Sequence, residues 1–366
     1  MRAIHQLVAG FSRGDAISNE AVVLRGIFRQ WGFESEIYCE RRRILPELRQ
    51  EARDLDDLPG CCGPDDIVFL HLSIGSRANA VFPTLPGRKV ILYHNITPPE
   101  YFRFIQPSTA ADLARGREQA AALAGEAEVN LADSAYNAGE LAGWGYPAPA
   151  VLPLVLDFGK LESGVDRATR RRFEDGKTNV LFVGRCAPNK RLEDLVAAFA
   201  CYQKCVDAES RLILAGSYAG TERYQRLLLS LVRDLKLEHV VFTGAIPQTQ
   251  LNACYRSAHV FLCMSEHEGF CIPLVEALVH RVPVLAYASS AVPETLGGAG
   301  ILFRHKAFEA IAELMGRLAR EDSLRRAVLA GQDRRLRAFR ARDLAAELRG
   351  HLGALLGDGP GSAPSR

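Results

Sequence analysis

The stretch Asn179–Phe199, NVLFVGRCAPNKRLEDLVAAF, decides the fold. Val180–Val183 is a short apolar run that reads as a buried strand. A polar loop led by Gly184 follows, and then Leu192, Leu195, Val196 and Phe199 recur at helical spacing. Strand, loop and helix in that order make half of a βαβ unit, the building block of a parallel sheet. The same alternation continues toward the C-terminus. Strands are expected at 211–215, 240–243, 260–263, 284–286 and 300–303, and helices at 192–205, 222–235, 248–257 and from near Pro273. It also runs toward the N-terminus. There the expected strands are Ile4–Ala9, Glu36–Cys39, Asp66–His71, Lys89–His94, Val129–Ala132 and Val151–Leu154, with helical stretches at Asn19–Trp31 and Ala110–Ala124.

Two such series in 366 residues predict an α/β protein of two Rossmann-like, doubly wound domains facing a cleft. The expected domains are 1–165 and 175–340, with 341–366 as a C-terminal helix and tail. Residues 157–177 are charged and weakly periodic, so they read as a linker with a short helix. The final run, GDGPGSAPSR, is of low complexity and reads as disordered.

Composition narrows the function classes. Lys plus Arg number 45 and Asp plus Glu 43, so the net charge is only +2, and no nucleic-acid partner held by bulk charge is expected. Hydrophobic residues at 48% and charged residues at 24% are globular values, which exclude a disordered or collagenous chain. Nine cysteines is an odd count without a CxxC, and most lie in apolar runs, so a reduced, cytoplasmic protein is expected. His5 and Gln6 break any secretory apolar region, and no stretch is long enough to span a bilayer. Peripheral attachment at the inner face of a membrane needs only a patch; Arg103, Arg115 and Arg117 offer one for an anionic head group.

Ligands of open α/β sheets bind beyond the carboxyl ends of the strands, and four constellations fall there. SEHEGFCIPLVEAL, residues 265–278, sets Glu268 just after a strand and Glu276 inside the following helix. Backbone N–H groups around Gly269, Phe270 and Cys271 open that helix and suit a phosphate or a sugar hydroxyl. Glu276 can accept hydroxyl hydrogen bonds from a ribose; equally, Glu268 can be a helix cap and Glu276 a surface acid. Arg185 and Lys190 flank the loop between strand and helix and suit a diphosphate. In GFSRGDAIS, residues 10–18, Gly14 and Asp15 face either a ligand or a structural turn. The G-x-G-x-x-G spacing is missing, which argues against an NAD dehydrogenase. In YHNITPPEYF, residues 93–102, His94 ends a strand.

Together these motifs resemble the retaining, GT-B fold glycosyltransferases of family 4 (group 1). The resemblance rests on Val183-Gly184-Arg185 with Lys190, and on Glu268-Gly269-Phe270 with Glu276 in an E-x7-E element. It extends through Ser290-Ala291-Val292-Pro293-Glu294 and the run from Ala215 to Leu251, which carries Gly216. In the first half it rests on GDAIS, HNITP and ADSAYNAGEL. The family implies a hexosyltransferase that moves a hexose from a UDP- or GDP-sugar to a hydroxyl of a saccharide or lipid-linked saccharide. By the same resemblance, Arg185 and Lys190 bind the leaving diphosphate, Glu276 the ribose, and Glu268 with Gly269, Phe270 and Cys271 the donor sugar. Gly184 and Gly216 belong to the donor site, His94 lies by the transferred sugar, and Gly14 and Asp15 lie near phosphates or acceptor. Two positions depart from the pattern: the family commonly has glycine where this chain has Cys271 and Arg191.

No cofactor or metal is expected. Asp54-Leu55-Asp56 spells a D-x-D but sits in a polar segment, and His267-Glu268 has no obvious third ligand. Two other readings stay open: a sugar-nucleotide epimerase, which needs more acid–base groups, and a non-catalytic nucleotide-sugar-binding subunit. A two-lobed solute-binding protein fits the architecture but not the missing signal peptide.

Overall fold

A computed structural model describes residues 2–357. The GDGPGSAPSR tail, apart from Gly357, lies outside the described residues. The chain forms two compact units. One comprises Met1–Pro99, Ser108–Val155 and Arg342–Arg366; the other comprises Glu100–Pro107 and Leu156–Ala341.

The first unit holds a seven-stranded parallel sheet. In chain order its strands are β1 (Ile4–Leu7), β2 (Ile37–Cys39), β3 (Arg53–Asp54), β4 (Ile67–Leu72), β5 (Arg88–Tyr93), β6 (Val129–Ala132) and β7 (Ala150–Val151). Their spatial order is β3-β2-β1-β4-β5-β6-β7. Register is continuous at the centre, where Ile4 to Leu7 pair with Ile67 to Leu70. Ile4, Phe69, Val90, Leu92 and Leu131 form one apolar face, closed by Leu24 and Phe28 of helix Ala16–Gln30. Leu348, Leu352 and Leu355 of helix Leu344–Leu356 complete that core, all nearly inaccessible to solvent. Spacings of four and three put these leucines on one helical face.

The second unit holds a six-stranded parallel sheet. Its strands are β8 (Thr178–Val183), β9 (Ser210–Ala215), β10 (Val240–Gly244), β11 (Val260–Cys263), β12 (Val284–Tyr287) and β13 (Ile301–Phe303). Their spatial order is β10-β9-β8-β11-β12-β13. Alternation along the strands feeds two cores. Val180, Phe182, Leu212, Leu214, Val260 and Leu262 pack with helices Leu192–Cys205 and Phe308–Arg320. Leu181, Ile213, Ala215, Phe261 and Cys263 pack with helices Gln248–Arg256 and Ile272–Val279. A parallel sheet buried on both faces explains the near-continuous apolar runs. In each sheet the chain starts centrally, winds one way, then reverses. The reversal lies between β1 and β4 and again between β8 and β11.

Three expectations change. Residues 157–177 hold two short helices, Phe158–Leu161 and Arg167–Phe173, rather than a free linker. Phe173 is buried in the second unit's core, and its carbonyl accepts from Asn179 Nδ2 at 2.7 Å. One buried aromatic among charges leaves no periodic signal. The strand expected at Val151–Leu154 is only Ala150–Val151, because Pro153 has no N–H for the ladder. The two-residue edge strand β3 is too short to be read from sequence. No helix among the described residues is long and apolar enough to cross a membrane.

The C-terminal helix is a structural part of the first sheet's core. Leu352→Ala is expected to lower stability by about 2–5 kcal/mol, read as a fall in the denaturant midpoint. No change would mean that the helix does not complete that core.

Candidate functional site

Parallel order brings distant loops together. β8 runs into the loop at Gly184–Lys190 and β11 into the loop at Ser265–Cys271, on either side of the strand-order reversal in the second unit. Lys190 Nζ lies 2.5 Å from Glu268 Oε2 across that gap. Burial works against the lysine's charge, but Glu268 outweighs it and raises the Lys190 pKa. The lysine is therefore charged at neutral pH.

Asn189 holds the two loops in place. Its carbonyl accepts from Glu266 N at 2.9 Å, and its Nδ2 donates to the His267 carbonyl at 3.0 Å. The side after β12 adds a second clamp. The Glu268 N–H donates to Ser290 Oγ at 2.8 Å, and Ser289 Oγ donates to the Ser265 carbonyl at 2.5 Å. Glu268 thus projects from a backbone fixed on both sides. Sequence reasoning missed Asn189, Ser289 and Ser290 as parts of the site. The partners lie 78 and 22–24 positions away, and the neighbouring Lys190 was the only local hint.

Backbone shape accounts for the unusual residues here. A Cβ on Gly216 would stand 2.0 Å from the Gly184 carbonyl oxygen, so only glycine lets these strand ends close up. Cys271, the residue that caps helix Ile272–Val279, has φ +71 and ψ +64. Arg191, which caps helix Leu192–Cys205, has φ +51 and ψ +52. Both are left-handed, which explains why glycine is the expected residue at each. Arg191 is held there by carboxylates: Glu193 at 3.0 Å, Asp194 at 3.2 Å and Glu266 at 3.4 Å.

The other expected donor residues are placed unequally. Arg185 is exposed beside Gly184, and its Nη2 donates to the Ala219 carbonyl at 3.0 Å. Gly269 is partly exposed between Glu268 and Phe270. The Phe270 ring lies edge-on against Phe339 inside the unit, and its carbonyl accepts from Thr295 Oγ1. Glu276 is buried, and burial raises its pKa. Its Oε2 accepts from the Tyr255 hydroxyl at 2.7 Å.

In the first unit, Gly14 has φ +76 and precedes Asp15, the N-cap of helix Ala16–Gln30. Asp15 Oδ2 accepts from Ser18 N at 2.8 Å and Ser18 Oγ at 2.7 Å. Of the two sequence readings for Asp15, the structure shows the structural turn. His94 is enclosed, with a side chain only 1% exposed. Its Nδ1 faces Asp133 Oδ2 at 3.1 Å and Glu20 Oε2 at 3.6 Å. Its Nε2 lies 2.8 Å from His71 Nδ1, and His71 Nε2 lies 3.0 Å from Gln6 Oε1. Gln6 Nε2 donates to the Ala21 carbonyl, so its oxygen accepts from His71 Nε2 and His71 Nδ1 is left to accept from His94. Both nitrogens of His94 are engaged inside this unit, and its imidazole is not exposed to a ligand here.

Asp54 and Asp56 of the D-x-D are also accounted for. Asp54 caps the turn that follows it, and Asp56 pairs with Arg77 at the surface.

Residues 167–336 match the family model described as glycosyl transferases group 1. That span contains both loops of the Lys190–Glu268 pair. By structure, the chain is similar to Anabaena HepE in complex with UDP and glucose, with TM-score 0.72 and 16% identity over 98% of this chain and 100% of that one. Sucrose-phosphate synthase from Thermosynechococcus elongatus gives TM-score 0.74 and 17% identity over the same shares. The fold is GT-B. By sequence, 146 residues are 30% identical to O-antigen chain mannosyltransferase B of Escherichia coli, covering 40% of this chain and 38% of that protein. A GDP-mannose-dependent alpha-mannosyltransferase of Mycobacterium tuberculosis is 32% identical over 161 residues, covering 42% and 39%. The chain thus matches about two fifths of the length of these relatives. The matches support a glycosyltransferase reading, and the family match lies within the second unit of this GT-B fold.

The buried group around His94 gives the first GT-B unit a pH signature. Burial opposes charge on His94, but Asp133 and Glu20 prevail and raise its pKa to about 9. Burial pushes the Glu20 carboxyl up to about 8. Both groups hold protons more tightly folded than unfolded, so their stabilisation is complete at low pH and is lost as pH rises through these values. The midpoint of thermal unfolding is expected to fall between pH 4.5 and pH 9, first through Glu20 and above pH 6.5 through His94 as well. Glu20→Gln, which keeps a neutral group, should flatten that fall. An equal fall in the variant would assign it elsewhere.

Proposed function

We propose that this chain is a retaining glycosyltransferase of family 4 that transfers mannose from GDP-mannose to a hydroxyl of a saccharide or lipid-linked saccharide. The observation that carries the reading is the Lys190–Glu268 pair at 2.5 Å, set across the strand-order reversal within the span that matches the family. Relatives named as GDP-mannose-dependent favour mannose and guanosine over other hexoses and uridine. The second unit holds the donor and the first binds the acceptor.

The chemistry follows from charge. Cleavage of the sugar–phosphate bond leaves an oxocarbenium-like sugar and a diphosphate gaining negative charge. Arg185 and Lys190 are preorganised to meet that charge, and such stabilisation is often the largest catalytic term. Glu268 is tied to Lys190, so it orients the ammonium and the donor sugar rather than serving as a free nucleophile. That favours a front-face route. The bond from C1 to the phosphate oxygen breaks, the acceptor oxygen bonds C1 on the same face, and its proton passes to the leaving diphosphate. Neither resident metal nor cofactor enters these steps. The chain works where its nucleotide sugar is made, in the cytoplasm, with its acceptor in solution or at the inner membrane face.

The test is release of nucleotide diphosphate from a panel of GDP- and UDP-sugars with saccharide and lipid extracts as acceptors. GDP release from GDP-mannose is expected. Lys190→Met and Glu268→Gln should each reduce it by about 10²–10³-fold. A folded chain that binds GDP but releases nothing with any acceptor would overturn transfer. Conversion to a new nucleotide sugar would replace it with epimerisation.

A further inference from the structure

Beside Glu268, the end of β11 and the loop after it carry two thiols that the transfer chemistry does not use. Cys263 ends β11, Cys271 caps helix Ile272–Val279, and Glu268 lies in the loop between them. One ligand atom from each of the three lies within 4.8 Å of the other two. All three residues are buried, at 1%, 8% and 7% exposure for Cys263, Cys271 and Glu268. We propose that Cys263, Glu268 and Cys271 form a binding site for a thiophilic divalent cation, of which Zn²⁺ is the physiological example.

The donor set selects the ion. Two sulfurs and one carboxylate oxygen suit Zn²⁺ or Cd²⁺ and disfavour Mg²⁺ and Ca²⁺, which take oxygen ligands. Tetrahedral zinc, with Zn–S near 2.3 Å and Zn–O near 2.0–2.2 Å, sets its ligands roughly 3.4–3.8 Å apart. Closing from the observed spacing needs only side-chain adjustment of about 1 Å. Three protein ligands leave a fourth position open, as in exchangeable rather than structural sites.

Charge also balances. Binding expels one proton from each thiol to solvent. Two thiolates and the carboxylate carry three negative charges, which the divalent ion and the Lys190 ammonium neutralise together. Lys190 occupies Glu268 Oε2. The carboxylate has a second oxygen for the ion, so the pair at 2.5 Å need not be broken. The left-handed Cys271 adds a further point. Its backbone suits glycine better, so a thiol there is held at a conformational cost and gains a use as a ligand.

The experiment uses the full reduced chain, stripped with chelator and then titrated with Cd²⁺. Thiolate-to-cadmium charge-transfer absorption is followed in the ultraviolet. One equivalent is expected to saturate the band, with Zn²⁺ displacing Cd²⁺ and millimolar Mg²⁺ leaving it unchanged. Cys271→Gly, which relaxes the backbone, and Cys263→Ala should each weaken binding at least tenfold. The double variants Cys61→Ser with Cys62→Ser, and Cys201→Ser with Cys205→Ser, should leave it intact. A band that persists in folded Cys271→Gly would overturn the site, as would no band in the reduced chain. A 263–271 disulfide found by mass in place of metal would do the same. One consequence rests on the donor-binding reading above: Zn²⁺ holding Glu268 should slow transfer, an effect absent from Cys263→Ala. Failure of the transfer assay would bear on that reading alone, because the cadmium band needs no substrate.

Discussion

The ion pair between Lys190 and Glu268 organises the second unit's site, and it depends on strand order. A parallel sheet that starts in the middle and reverses puts the ends of β8 and β11 side by side although 78 residues separate the paired side chains. Removing either partner of a buried pair leaves an uncompensated charge, typically costing about 3–5 kcal/mol. The surrounding loops are built to keep both. Asn189 ties the lysine's loop to the glutamate's, and Ser289 and Ser290 tie the latter to the segment after β12. Three strand ends therefore converge on one residue, Glu268.

The same requirement explains the backbone. Gly216 lets its strand end close on Gly184, where any side chain would meet a carbonyl. Arg191 and Cys271 take left-handed conformations at the starts of the two helices that follow β8 and β11. Each occupies a position where glycine costs least. Arg191 is compensated by three carboxylates, one of them Glu266 from the opposite loop. Cys271 has no comparable set of ion pairs, and its thiol instead lies with Cys263 and Glu268. Strain and ligand chemistry meet at that residue.

The first unit is organised differently. Its carboxyl edge hides a charged histidine among Glu20, Asp133, His71 and Gln6, drawn from three strands or their ends and one helix. A buried imidazolium between two carboxyls is stable only where every member is partnered. That makes the network a determinant of folded-state protonation. It also explains why a histidine at a strand end need not face a ligand.

Much of this was legible in the sequence. Apolar runs of four to six residues alternating with helical periodicity report burial on both faces of a parallel sheet, and that signal is local. Glu268 and Glu276 could be singled out for the same reason, since strand, loop and helix lie within one short stretch. Asn189, Tyr255 and Ser290 could not, because each acts through a partner brought near only by folding. His94 shows the converse: position on the strand was readable, but exposure was decided by Glu20 and Asp133 arriving from elsewhere. Helix Leu344–Leu356 shows it at larger scale. Its leucine spacing announced an apolar face, while the partner of that face, the sheet formed by residues 4–151, was fixed by tertiary structure. Sequence determines which faces must be buried, because side-chain chemistry and backbone period are local. Tertiary structure alone decides what they are buried against, because that contact depends on the path of the whole chain.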